Sequence, residues 1–413
     1  MSANKTTRSF LIIALGVAFE HLDMMLVSLL ASSIVEEFVG NSSPALTLLY
    51  AYIGYAIAFL FRPLGAFCFG CIGDLYGRKT SLIGSMVLMS TATLALAFIP
   101  GVQVLGWAST LLFVLCRIAQ GLSVGGEYGT AMTYAFELNP HFRTFYGACV
   151  IASTHLGGLF ATFLASQYVE NFRTTFLVAG LIGFFLLLFR SFLKEHHVVT
   201  AKKISEIATE SVKNKKAILE ALLVASMLVL VFYGSLIYLN ELVHTDMGIP
   251  RSEIFQANSL LLGLWIVLPP FFGYLTDRYS VSYRKMMRLG ALGVFLSAPI
   301  LGLALTFSSY PAVLAAQILM HLFHMMFCLC TPRFFGDLFA GLARNTAIST
   351  SYSLGASFTA AIAPMICHVS IALFHTNFAI CVPFMFVALA TIFILKKEDL
   401  CERTIPLSST TSK

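Results

Sequence analysis

The sequence predicts an all-α membrane protein of about twelve transmembrane helices arranged as two pseudo-symmetric six-helix bundles. Three observations carry this. Of 413 residues, 58% are hydrophobic and only 11% charged, a balance that cannot clothe a globular surface in polar groups. Apolar stretches recur along the whole chain, each near the roughly 20 residues that a helix needs to cross about 30 Å of hydrocarbon. The longest polar interval then falls after the sixth stretch, with six more behind it.

Taken in order, the first stretch, 10–36, carries Glu20, His21 and Asp23 in its middle. It is too long for a secretory leader and lacks a small-residue cleavage site, so it is read as helix one. The second, 46–72, holds Arg62 followed by Pro63, a point where a helix can kink. After 80–98, the fourth stretch, 108–136, sets Arg117, Gly121, Gly125 and Gly129 four residues apart, a small-residue stripe that lets another backbone approach. Its Gly121-Leu122-Ser123-Val124-Gly125 fits a hydrolase nucleophile pattern, but that elbow needs a strand feeding a helix. Stretches 145–168 and 174–193 complete an N-terminal bundle, 1–193. The segment KEHHVVTAKKISEIATESVKNKK, 194–216, is read as a cytoplasmic linker. Stretches 217–240, 254–275, 287–307, 311–335, 346–371 and 378–395 form a C-terminal bundle, 217–396, and 397–413 is a cytoplasmic tail.

Lysine and arginine orient the chain, because positively charged loops stay on the cytoplasmic side. With both termini inside, the inner segments receive Lys5, Arg8, Arg78, Lys79, Arg143, the linker lysines, Arg278, Arg284, Lys285, Arg288 and Arg344, while the outer loops hold Arg173 and Arg251. The net charge of +6 is thus spread over loops, with none of the clustered basic face that nucleic acid requires. The nine cysteines, including Cys68 and Cys71 and the pair Cys328 and Cys330, fall mostly inside apolar stretches and read as small core residues, without metal. No HExxH motif or nucleotide-binding loop occurs, so neither an enzyme nor a cofactor is expected.

An internal repeat supports the division into halves. GCIGDLYGRK at 70–79 returns as GYLTDRYSVSYRK at 273–285, aligning Asp74 with Asp277, and Glu137 followed by Arg143 returns as Asp337 followed by Arg344. Two six-helix bundles related by an axis along the membrane normal are a transporter plan, with the solute site between them near the midplane. GCIGDLYGRK resembles the loop signature of the major facilitator superfamily. FEHLD with Glu20 and Asp23, AYIGYAIAFLFRPLGA at 51–66, RIAQGLSVGGEYGTAMTYAFE at 117–137 and DLFAGLARNTAISTSYSLG at 337–355 resemble its metabolite:proton symporters, the group of proline/betaine, α-ketoglutarate and shikimate carriers. The chain departs from that pattern at His21, where a tryptophan is usual, at Leu75 and at Ser280, and no long coiled-coil extension follows the last span. The resemblance implies a latch for one conformational state built from Gly73, Asp74, Gly77, Arg78 and Lys79, with Glu137 as partner of Arg78, and in the second half from Asp277 and from Arg284 with Asp337 as its partner.

Ionisable groups inside hydrocarbon cost about 2.5 to 3.5 kcal/mol each even on lenient insertion scales and so mark function. Glu20 and Asp23 share a helical face near mid-span and Arg117 lies at similar depth, so an ion pair broken by protonation is expected there, and these three are the candidate proton-coupling residues. Arg62 and Glu127 are expected to pair or to meet solute. The candidate solute-binding residues are Glu20, His21, Tyr52, Tyr55, Arg62, Glu127, Tyr233 and Trp265, the aromatics suiting cationic groups. His321 and His324 share one face of the tenth span, as buried hydrogen-bonded side chains or as a proton relay. The expectation is a monomeric secondary transporter of the cell (inner) membrane that moves a small polar metabolite, a zwitterion or a small carboxylate, together with protons. A uniporter or exchanger is the alternative within transport, and a transporter-derived sensor the alternative outside it.

Overall fold

In a computed structural model, residues 3–40, 44–167, 171–193, 203–339 and 341–397 are described; the rest of the linker and the tail, 194–202 and 398–413, lie outside them. Twelve helices are long and apolar enough to cross a membrane. We number them α1 (Ala3–Leu29), α2 (Pro44–Leu75), α3 (Arg78–Phe98), α4 (Trp107–Leu138), α5 (Arg143–Gln167), α6 (Phe172–Arg190), α7 (Lys215–Met247), α8 (Arg251–Arg278), α9 (Tyr283–Thr306), α10 (Tyr310–Leu338), α11 (Arg344–Phe374) and α12 (Cys381–Lys397). No strand occurs among the described residues.

Polar loop residues start several spans by satisfying free backbone N–H groups. Asn171 accepts from Thr174 at the head of α6, Asn214 from Ala217 at α7 and Ser282 from Lys285 at α9. Gly248, at φ +67°, ends α7 in the left-handed conformation that glycine tolerates best.

The structure differs from the expected spans in three places. The first stretch is not continuous to residue 36: α1 stops at Leu29, Leu30 leaves helical geometry (φ −105°, ψ 16°), and a second helix, Ala31–Phe38, follows. The tenth is interrupted between Cys328 and Thr331, because Pro332 in the first turn of Thr331–Leu338 has no N–H to continue the ladder. In α7 a π-helical turn, Gly234–Tyr238, interrupts the α-helix. By contrast α2 runs through Pro63 without a break in the helix.

Packing repeats with a period of six helices. Helix α1 packs on α5 as α7 does on α11, α3 on α6 as α9 does on α12, and α3 on α4 as α9 does on α10. The two bundles meet along two equivalent seams, α2 with α11 and α5 with α8. Within the first bundle α2 and α4 come into backbone contact, since a Cβ on Gly121 or Gly125 would overlap the carbonyls of Ala58 or Arg62; Gly129 instead abuts Ser349 of α11. The perimeter is apolar and exposed, as at Leu60, Phe307 and Phe386, while Tyr76, Trp107 and Tyr279 project at span ends, the depth at which aromatic rings sit in headgroups.

Candidate functional site

Two buried charge networks lie inside the first bundle. In one, Asp23 of α1 is fully buried. Its Oδ1 accepts from Thr93 of α3 at 2.5 Å and from Gln120 of α4 at 3.0 Å. Gln120 in turn accepts from Arg117 at 2.6 Å, and Arg117 also donates to the Gly54 carbonyl of α2 at 3.0 Å. Four helices are thereby tied to one carboxylate, with Gln120 as the link between Asp23 and Arg117. Asp23 Oδ2 is buried without a hydrogen-bond partner, an open place for a proton.

In the other network Glu127 of α4 receives both arms of the Arg190 guanidinium from α6, with Ser85 of α3 donating to it at 2.8 Å. Arg190 also donates to the Leu82 carbonyl, and Gly16 of α1 leaves room for its head. Glu127 is therefore engaged by Arg190; of the two expectations for Arg62 and Glu127, a mutual pair or a solute contact, the mutual pair is not formed. Arg62 lies 4.0 Å over the Phe59 ring.

Between these networks and the second bundle is a cluster of unspent polarity. Both oxygens of Glu20 are buried without a partner, as is Arg62 Nε, and Glu20 stands in the field of Glu127, Arg62, Arg190 and Asp23. Aromatic rings surround it: Tyr128 lies 6.0 Å from His21 and 4.8 Å from Tyr352 of α11, and Tyr233 of α7 meets Phe59 edge-on. The side chains of Tyr52 and Tyr55 lie outside the described residues. Trp265 packs in a nest of histidines. Its indole donates to His321 at 3.2 Å and stacks on His155.

At the end of the bundles rich in arginine and lysine, the two repeat loops cross the seams. Asp74, closing α2, accepts from the backbone N–H groups of Asn345 and Thr346 and from the Thr346 hydroxyl, all at the start of α11. Asp277, closing α8, accepts from the Phe145 N–H at the start of α5 at 2.8 Å. Each carboxylate thus caps a helix of the other bundle, where free N–H groups and the helix dipole favour an anion. Arg78 bonds Asp74 at 2.7 Å and Glu137 at 3.3 Å. The second repeat is crossed as well: Glu137 meets Arg344 at 3.6 Å and Asp337 meets Arg143 at 3.5 Å. Arg333 joins Asp277 and Thr144. Gly73 leaves space for the Asn345 amide, Gly77 turns the chain at φ +100°, Lys79 donates to the Ser191 carbonyl, and Arg284 lies over the Tyr283 and Phe334 rings.

The sequence reading missed Thr93, Gln120, Arg190, Tyr128, Tyr352, Arg333, Asn345 and Thr346. Gln120 was findable, three residues from Arg117 on one helical face. Arg190 stood inside the sixth apolar stretch, 174–193, as a charge near its end, and nothing in the sequence named a partner for it. Asn345 and Thr346 carry no charge, and only their start-of-helix position marks them.

The sequence profile of the Major Facilitator Superfamily matches residues 13–298. The chain is 27% identical over 399 residues to the shikimate transporter of Escherichia coli, covering 91% of this chain and 90% of that protein. It is 26% identical over 346 residues to a putative proline/betaine transporter of Staphylococcus haemolyticus, covering 78% and 72%. It is 28% identical over 261 residues to the α-ketoglutarate permease of Escherichia coli, covering 60% of each. Among solved structures it superposes on a proton:xylose symporter with TM-score 0.79 at 16% identity, covering 96% of each chain. A human organic anion transporter superposes with TM-score 0.73 at 14% identity, covering 94% of this chain and 99% of that one; these two likenesses speak for the fold. Twelve spans, two repeated bundles and a matching profile over most of the length make the chain a member of the Major Facilitator Superfamily, a multi-pass membrane transporter.

Proposed function

We propose that this transporter moves a small zwitterionic metabolite by alternating access, driven by a proton that enters with it through Asp23. The single observation that carries the reading is the state of Asp23, a fully buried carboxylate with one oxygen bonded into a four-helix network and the other bare. A proton on Oδ2 removes the charge that orients Gln120, and through it Arg117, so proton binding and helix arrangement become one equilibrium. The solute sits beside it, between the bundles. Its carboxylate is drawn to Arg62 and its cationic centre to Glu20 and the rings of Tyr128, Tyr233 and Tyr352, which supply the partners those buried groups lack. The relatives named for shikimate, proline/betaine and α-ketoglutarate support a small polar metabolite as the solute.

The bundles touch at the arginine-rich end and again at the Phe59–Tyr233 and His155–Trp265 pairs. With that end cytoplasmic, as its positive charge argues, this is the outward-facing state, in a cell membrane with both termini inside and one chain as the transporting unit.

The test is uptake into proteoliposomes of glycine betaine, proline, α-ketoglutarate and shikimate, with and without an inside-alkaline gradient. Gradient-driven accumulation of a zwitterion, lost in Asp23→Asn while exchange of labelled for unlabelled solute persists, is the expected result. Accumulation by Asp23→Asn equal to that of the unmodified chain would overturn the coupling role.

A further inference from the structure

The mechanism above makes no use of His155, yet this residue stands where the two bundles meet. It lies on α5, and its ring stacks on Trp265 of α8 from the other bundle, with centroids 4.7 Å apart and planes 6° from parallel. The indole is held rigidly from behind. Its N–H donates to His321 Nδ1, so His321 carries its own hydrogen on Nε2 and donates that to Ser235 at 2.7 Å, and Ser235 donates to the Val231 carbonyl at 2.6 Å. Every polar atom in that chain is satisfied, and Ser235 belongs to the π-helical turn of α7, an irregularity often found at functional positions.

His155 is satisfied on one side only. Nδ1 faces the Ile151 carbonyl at 2.9 Å and the Thr154 hydroxyl at 3.0 Å, and that hydroxyl already donates to Ile151. Both neighbours are acceptors toward the ring, so the neutral imidazole keeps its hydrogen on Nδ1. Nε2 is left as a basic lone pair, buried with no partner. The titratable groups around it are His21 of α1 and, beyond Trp265, His321 and His324 of α10. Helices α7 and α8 offer it the Phe232 and Trp265 rings. Among the described residues no carboxylate pairs with it. A charged imidazolium in this stack would therefore be buried without a counter-ion, which folded proteins avoid.

We propose that His155 is a second proton-binding site of the transporter, distinct from Asp23 and open only when the seam between α5 and α8 parts. With the bundles closed as here, Nε2 is dry and unprotonated. When the arginine-rich ends separate, water reaches His155, twelve residues or roughly 18 Å along α5 from Arg143, and Nε2 takes a proton from that side. The imidazolium then resists being laid back on the indole, so acid on that side holds the transporter open toward it. The proton returns to the side it came from, and the site regulates the cycle without adding to the protons carried across. This rests on the alternating-access reading of the fold, but its test uses neither solute nor gradient, so the two can fail separately.

The chain has two tryptophans, and Trp107 is exposed at the start of α4, far from the seam. With Trp107→Phe, emission reports Trp265 alone, and with Asp23→Asn the other proton-linked change of helix arrangement is removed. Titrating that double variant in nanodiscs from pH 8 to 5 is expected to give one transition, a red shift with loss of intensity as the stack opens to water, with an inflection within about pH 5 to 8. His155→Gln and His155→Phe in the same background, the second keeping a ring on the indole without a basic nitrogen, are expected to abolish it. A flat titration of the double variant would overturn the proposal, and so would a transition that survives both His155 substitutions.

Discussion

Glu127 and Arg190 show how much a single buried residue can carry in this molecule. They satisfy one another inside hydrocarbon and share the pair with Ser85 and the Leu82 carbonyl. Glu127→Gln strands the guanidinium, which costs about 3 to 5 kcal/mol for a buried pair, whereas Glu127→Leu with Arg190→Met replaces it by apolar volume at little cost. Thermal unfolding in detergent should therefore place the single variant well below the double; equal melting temperatures would mean that the pair is not held as described. At the proposed solute site Glu20→Gln keeps the shape of the side chain and removes the charge. It is expected to raise KM for a zwitterionic solute at least tenfold, on the order of the 1.5 to 3 kcal/mol of a hydrogen bond to a charged group, while an uncharged polyol analogue is affected far less. These residues divide by legibility. Glu20, Asp23 and Arg117 announce themselves because a charge in mid-span has no ordinary reason to be there, whereas Tyr128 and Tyr352 are two aromatics among many, and only proximity across the seam singles them out.

Individual elements show where hydropathy suffices and where it stops. Twelve apolar stretches were countable from the sequence because lipid demands them, but the breaks at Leu30 and between Cys328 and Thr331 are changes of backbone within apolar runs, invisible to a hydropathy window. The two repeat turns make a sharper case. Gly77 has φ +100° and ψ 155°, a region that only glycine occupies comfortably, while Ser280 in the second turn has φ +52°, left-handed but open to other residues at some cost. Gly77→Ser is thus expected to destabilise the protein by roughly 1 to 3 kcal/mol. Ser280→Gly is expected to change stability by less than about 1 kcal/mol, because relief of strain is offset by the freedom glycine adds to the unfolded chain. Melting curves of both variants decide this, and equal losses would contradict the assigned turn geometry. The sequence showed that the second repeat lacks its glycine; the backbone shows why a serine can stand there.

Across the whole molecule, the arginine-rich end is held by contacts that exchange partners between bundles. Asp74 caps α11, Asp277 caps α5, and Glu137 and Asp337 each reach the arginine of the opposite repeat. Asp74→Asn and Asp277→Asn should each shift the population toward separation at that end. Spin labels on cysteines replacing His141 and Val281, which lie on opposite sides of the seam, should report longer distances in both variants than in the unmodified chain; an unchanged distribution would leave the caps without a gating role. The exposed Arg143–Asp337 contact is expected to matter little by itself, since ion pairs at the surface contribute about 0 to 1 kcal/mol. The internal repeat was visible as sequence, and so was the kinship of its charges. That the charges serve the neighbouring bundle as well as their own required the fold.

In the alternating-access cycle proposed above, the crossed caps would also set the character of the opening step. Each bundle holds out one carboxylate and offers one helix start, so the two straps are mutual, and rigid bodies rocking about the midplane loosen both in unison. A half-released arrangement would leave one bare helix end and one idle anion facing each other at short range, an arrangement with every reason to snap back. On the proposed cycle such a gate would behave as a toggle, with dwell times at either extreme and little time between them, its sharpness coming from the internal repeat of the chain and not from the strength of any one bond.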